Sequence, residues 1–100
     1  MPDKVQTTLH VLRERSLLTQ TDLAEILGRQ QPEVSMWEWG KERMPDTIKQ
    51  QVFGVLRAAL ARVGADARHL RPEDLDRPWD DVLHEWRDRA AQQPKPPADV

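Results

Sequence analysis

The sequence predicts an all-α fold, a compact bundle of five to six helices. Apolar residues recur at spacings of three and four along most of the chain, which is the period of a helix buried on one face. Residues that start and end helices separate these stretches. No segment shows the alternation of apolar and polar residues that is typical of a half-buried strand.

Length and composition limit the class of protein. One hundred residues allow one modest hydrophobic core. The chain has no cysteine, which excludes disulfides and thiolate metal ligands. No apolar run approaches the roughly 18 residues that a membrane span needs, and the first residues do not form a signal-peptide core. We therefore expect a cytoplasmic protein with no membrane contact.

The first two helices are short. The first is predicted over residues 4–15. The second begins with a capping box, in which Thr19 and Asp22 satisfy each other's backbone N–H groups, and it ends at Gly28, which suits a left-handed turn. The apolar face of the first helix carries Val5, Leu9 and Leu12.

The third and fourth helices follow after short connections. The third is predicted over residues 31–39, with Pro32 in its first turn, where proline is tolerated. The fourth is predicted from an N-cap at Asp46 to residue 63, and Gly64 ends it. Its apolar stripe comprises Ile48, Val52, Val55, Leu56, Ala59 and Val63.

The remaining chain is predicted to form a short helical turn from Pro72 and a last helix over residues 78–91. We divide the chain into a domain of residues 1–64, a helical extension of residues 65–91 and a disordered tail of residues 92–100. The extension either packs on its own chain or forms a dimer interface. One face of its helix carries Trp79, Val82, Leu83, Trp86 and Ala90.

The second and third predicted helices together match a helix-turn-helix motif. Two helices that cross closely need a small residue at the contact, and Ala24 is in that place. Gly28, four residues later, supplies the turn. Val34 and Trp37 return apolar side chains to the same core. In this motif the second helix is shaped to enter the major groove of DNA.

These positions resemble the Cro/lambda-repressor-like family, also called the XRE family. The resemblance covers residues 7–62 and is carried by residues 18–28 (LTQTDLAEILG) and 37–45 (WEWGKERMP). It implies a transcriptional regulator, a repressor of bacterial or phage type, that binds double-stranded operator DNA as a homodimer and needs no cofactor. The family often joins a first-helix arginine to the glutamate of the Trp-Glu pair, here Arg13 and Glu38.

The resemblance also implies a DNA-binding face. In the family, the glutamine at the Gln20 position commonly touches phosphate, the first turn of the recognition helix meets base edges, and the basic loop after the glycine holds phosphate. Gln31 suits a bidentate contact with adenine, and the carboxylate of Glu33 suits cytosine N4. Gln30 or Gln31 could instead cap the third helix. The full set is Gln20, Gln30, Gln31, Pro32, Glu33, Ser35, Met36, Lys41 and Arg43.

Charge and side-chain type leave other functions open. The formal net charge is −2, so no global basic field attracts phosphate. Glu33 and Met36 stand where family members often carry Arg, Lys, Ser or Thr. Trp39 could touch DNA or a partner, or pack on the first helix. The alternatives are an antitoxin whose extension contacts a toxin, and a protein-interaction module whose surface includes these three residues.

Nothing in the sequence points to catalysis or to a metal site. His10, His69 and His84 are far apart and have no cysteine or carboxylate at the spacing of metal ligands. No phosphate-binding glycine loop, catalytic triad or paired-carboxylate arrangement is present. We expect a protein that is not an enzyme, with histidines at surface or half-buried positions.

Overall fold

The computed structural model describes residues 6–65 and 68–92, and these residues form an all-α fold, as predicted. A 3₁₀ turn at Pro72–Asp74 precedes the last helix. The predicted positions of Val5, of the Ala90 side chain and of the tail beyond residue 92 lie outside the described part of the chain. The helices are α1 (Thr8–Arg15), α2 (Gln20–Leu27), α3 (Gln31–Glu38), α4 (Asp46–Arg62) and α5 (Trp79–Gln92).

The ends of α1 and α2 are set by local capping. α1 begins at Thr8 and not at residue 4, because Thr7 is extended and its hydroxyl accepts a hydrogen bond from the backbone N–H of His10 (3.2 Å). The predicted capping box of α2 is confirmed, with the Thr19 and Asp22 side chains each bonded to the other's backbone. Gly28 ends α2 with φ 68°, which confirms the left-handed turn.

The later helix boundaries shift by one residue from the prediction. α3 ends at Glu38, and α5 starts at Trp79 and includes Gln92. Asp46 is the first residue of α4 and not its N-cap, because the carbonyl of Pro45 already accepts the first helical hydrogen bond, from the Lys49 N–H (2.9 Å).

A single hydrophobic core joins all five helices. The helix-turn-helix positions Ala24, Val34 and Trp37 are buried in it, as predicted. In the α4 stripe Val63 was wrongly included: it lies beyond the end of the helix and is 42% exposed, and Leu60 is buried instead. The buried residues of that stripe are Ile48, Val52, Leu56 and Ala59, while Val55 is half-buried.

The segment after α4 folds back onto the start of α1. The backbone N–H of Thr8 donates to the carbonyl of Arg77 (2.9 Å), and that of Leu9 donates to the carbonyl of Leu75 (3.1 Å). In return, the N–H of Trp79 donates to the carbonyl of Gln6 (2.9 Å). The first N–H groups of a helix have no partner within it, so these bonds fix the N-terminus of α1. An isolated β-bridge between Thr7 and Pro78 is part of the same contact.

The segment also contributes apolar side chains to the core. The Trp79 indole packs edge-on against Trp86 (ring centroids 5.5 Å apart), and the guanidinium of Arg15 lies 5.0 Å from the centre of the Trp79 ring. Leu70, Leu75 and Val82 are buried in the same core. None of the described helices is long and apolar enough to cross a membrane.

The burial of Trp79 makes a prediction for stability. Trp79→Ala should lower the free energy of unfolding by about 3–5 kcal/mol, because it removes a large side chain from the core and leaves a cavity. Urea unfolding followed by circular dichroism measures this change. Trp39→Ala is the matched control, since Trp39 is 40% exposed and its loss should cost about 1 kcal/mol. Equal losses for the two variants would show that the segment does not share the core.

Candidate nucleic-acid interface

A buried carboxylate lies behind the candidate interface. Glu38, the last residue of α3, is only 1% exposed. Its carboxylate accepts hydrogen bonds from the Arg13 guanidinium, from His10 Nδ1 (2.8 Å) and from Gln20 Nε2 (2.9 Å). We call His10, Arg13, Gln20 and Glu38 the Glu38 cluster. It joins α1, α2 and α3, and it confirms the predicted pairing of Arg13 with Glu38.

The surroundings of Glu38 favour its ionised form. Burial alone would raise the pKa of this carboxyl. The hydrogen bonds from Arg13, His10 and Gln20, together with the positive charge of Arg13, outweigh burial and hold the Glu38 pKa below its usual value. Arg13 also donates from Nη1 to the carbonyl of Leu18 (2.6 Å), which fixes the guanidinium against the turn between α1 and α2.

Gln20 links the buried cluster to the exposed start of α3. A carboxylate can only accept hydrogen bonds, so the Gln20 amide nitrogen faces Glu38 and its oxygen faces outward. That oxygen accepts a hydrogen bond from Gln31 Nε2 (2.5 Å). The result is a chain of hydrogen bonds from Glu38 through Gln20 to Gln31. Gln31 uses one amide N–H in its hydrogen bond to Gln20, so its carbonyl oxygen and its second N–H remain for a ligand.

The start of α3 is capped by the Glu33 side chain, and the N-cap residue makes no capping bond with its own side chain. Gln30 occupies the N-cap position, and its backbone N–H donates to Glu33 Oε1 (3.2 Å). Glu33 Oε2 lies 3.6 Å from Arg29 Nη1. The Glu33 carboxylate therefore serves the helix start, and the neighbouring arginine offsets part of its charge. Pro32 is exposed in the same turn.

The other candidate residues follow along α3 and the next loop. Ser35 is half-buried, and Met36 is 36% exposed. Gly40 takes φ 71°, which turns the chain away from the helix, and Lys41 and Arg43 are exposed after it. Within the described residues neither of these two cations has an ion-pair partner. Of the nine candidates, hydrogen bonds between side chains directly join only Gln20 and Gln31.

The structure also places two residues whose roles were open or missed. Trp39 packs on α1, with its ring stacked on His10 (centroids 6.0 Å apart, planes at 24°). His10 is not among the predicted site residues, yet it contacts both Trp39 and Glu38. One signal was present: His10 precedes Arg13 by three residues, which puts both on one face of a helix.

The lowered pKa of Glu38 predicts a pH dependence. Its ionised form is favoured in the folded state, so the stabilisation is complete above the ordinary value of about 4.5 and is lost as the pH falls through the lower folded value. Glu38→Gln should lower the free energy of unfolding by about 3 kcal/mol at pH 7, because it leaves Arg13 buried without its partner. The difference from the wild type should narrow below pH 4.5.

Urea unfolding at several pH values between 3 and 7 tests this. The control is Glu42→Gln, at an exposed glutamate, which should track the wild type at every pH. If the difference in the free energy of unfolding between Glu38→Gln and the wild type stayed constant down to pH 3, it would contradict the ionised state assigned to Glu38.

The described residues contain no group of three or more His, Cys, Asp or Glu side chains that could hold a metal ion. Comparisons of this chain with models of protein families, with curated proteins and with solved structures found no match.

Proposed function

We propose that this protein is a sequence-specific DNA-binding transcriptional regulator, a repressor of the lambda-repressor-like kind that binds operator DNA as a homodimer. One observation supports it most strongly: the hydrogen bonds from Glu38 through Gln20 hold the Gln31 amide at the exposed start of α3. The burial of Ala24 and Val34 and the left-handed turn at Gly28 support the assignment of a helix-turn-helix. In this role α3 is the recognition helix.

A side chain that is held before it meets DNA loses less rotamer freedom on binding. Gln31 offers an acceptor and a donor in one plane, which matches N6 and N7 of adenine in the major groove. Gln20 holds Gln31 by a hydrogen bond, and Glu38 in turn holds Gln20. Glu38 is itself fixed, because its hydrogen-bond donors belong to α1 and α2. Specific reading of a base requires such a supported contact.

Contacts with phosphate come from the loop after α3 and from the starts of α2 and α3. Lys41 and Arg43 are exposed and have no ion-pair partner within the described residues, so both are available. The N-termini of the two helices add partial positive charge. Because the net charge is −2, few phosphate contacts form, and the affinity should depend less steeply on salt than that of a strongly basic protein.

A second function is a protein-interaction module that keeps the fold without binding DNA. The exposure of Met36 and Trp39 near the start of the loop favours it, because side chains of these types are enriched at protein interfaces. The acidic Glu33 beside them and the negative net charge oppose contact with phosphate. An antitoxin would combine both functions, with DNA bound at α3 and a toxin bound elsewhere.

Selection from a random-sequence duplex library at two salt concentrations tests the primary proposal. The wild type should select a palindromic site. Gln31→Ala should lose preference at one base position of each half-site by about 1–3 kcal/mol, because a bidentate base contact is removed. Arg43→Ala should weaken binding to all sequences alike and reduce the salt dependence, since it removes a phosphate contact.

Gln50→Ala is the matched control, because Gln50 is an exposed glutamine on α4 outside the candidate face. It should leave both affinity and preference unchanged. If the wild type selected no site even at low salt, the regulator would be overturned and the interaction module favoured. If Gln31→Ala weakened binding to all sequences equally, Gln31 would not have the assigned role of reading a base.

A further inference from the structure

An apolar groove lies between the turn after α1, the end of α2 and the C-terminal half of α4. It encloses about 230 Å³. None of its lining residues belongs to the candidate DNA-binding set, so the groove and the recognition helix could be used at the same time. The lining residues are Leu18, Ile26, Val55, Ala58, Ala59 and Arg62.

Of the large apolar side chains that are exposed, one lines this groove and two belong to residues next to its lining. Leu17 is 79% exposed, Ile26 is 56% exposed and Val63 is 42% exposed. Ile26 lines the groove, and the other two adjoin lining residues in the chain. Clustered apolar residues at the surface of a small protein mark an interaction site more often than single ones do.

Leu17 is unfavourable for the isolated chain in two ways. It has φ 64°, the left-handed conformation, which costs a residue with a Cβ about 1–2 kcal/mol relative to the right-handed one. It also exposes an isobutyl group to water. Glycine would remove both costs, so the folding of one chain gives no reason for leucine here. A partner that buries the side chain does.

We infer that this groove is the interface at which a second copy of the chain docks. In a two-fold contact the same patch must supply both what protrudes and what receives it. This patch has both: Leu17 and Ile26 protrude, and Ala58 supplies a small side chain on the α4 wall. The inference rests on the proposed function in one respect, because a reader of paired half-sites requires a two-fold dimer.

The charges beside the groove favour a second copy over an unrelated partner. Glu25 is exposed on α2 next to Ile26, and Arg62 lines the α4 side. Within the described residues neither has an ion-pair partner. When α2 of one copy meets α4 of the other, Glu25 and Arg62 face each other across the interface, and the two-fold axis repeats the pair. The patch is therefore complementary to itself in charge.

The first test is self-association, measured by sedimentation velocity of the full chain over a range of concentrations. Leu17→Asn introduces asparagine, which tolerates the left-handed conformation, so folding should be unaffected. It should weaken the dimer about tenfold or more, because one large apolar contact is lost from each half of the interface. Ala58→Arg should do the same by filling the groove. Ala61→Arg, at an exposed alanine of α4 that does not line the groove, is the control and should dimerise like the wild type.

A charge exchange tests the orientation of the two copies. Glu25→Arg and Arg62→Glu should each weaken the dimer by placing like charges together, and the double variant should restore it. A monomeric wild type, or dimers of Leu17→Asn and Ala58→Arg as tight as the wild type, would overturn the inference. A double variant whose dimer is no tighter than the dimers of the single variants would also overturn the inference.

The library selection separates this inference from the proposed function. A protein that selects a DNA site but stays monomeric overturns the groove as a dimer interface and leaves DNA binding intact. A protein that dimerises through the groove but selects no DNA supports the interface and overturns the regulator.

Discussion

The buried charge of Glu38 is the constraint on which the arrangement of the first three helices depends. A carboxylate inside a protein must be fully hydrogen-bonded, because an unpaired one costs several kcal/mol or more. Glu38 receives its partners from α1 through His10 and Arg13, and from α2 through Gln20. The hydroxyl of Thr7 also donates to the Glu38 backbone carbonyl (2.9 Å). Moving any one of these helices would leave the carboxylate short of a donor, so the start of α3 is held by the same bonds.

The segment after α4 supports this arrangement from the other side. Its backbone carbonyls accept from the first N–H groups of α1, the helix that carries His10 and Arg13. An ion pair between the buried Lys49 Nζ and Asp76 Oδ2 (2.6 Å) joins α4 to the same segment. Arg77 pairs with Asp74 and Glu85, and these bonds raise the pKa of its guanidinium. The C-terminal part of the chain thus helps to position the Glu38 cluster although it lies outside it.

Local signals predicted the helices, and the structure shows why they could not predict the cluster. The capping box of Thr19 and the left-handed Gly28 act within a few residues, so the sequence is sufficient to place them. The pairing of Arg13 with Glu38 was expected only from resemblance to a family. The contacts of His10 and the bridging role of Gln20 depend on which side chains meet across three helices. Spacing within one helix places His10 beside Arg13 but does not determine what either residue meets on another helix. The predicted end of α4 is one residue too late for a similar reason. Val63 continues the apolar spacing of the helix, but the helix ends at Arg62.

In the proposed function, Gln20 transmits the fixed position of Glu38 to a base-reading Gln31. The most direct measurement is a double-mutant cycle of Gln20→Ala and Gln31→Ala, with binding measured to a selected duplex and to duplexes changed at one base pair. We expect a coupling energy of about 0.5–3 kcal/mol that disappears when the base read by Gln31 is changed. Effects of the two substitutions that add to within about 0.3–0.5 kcal/mol on every duplex would contradict it.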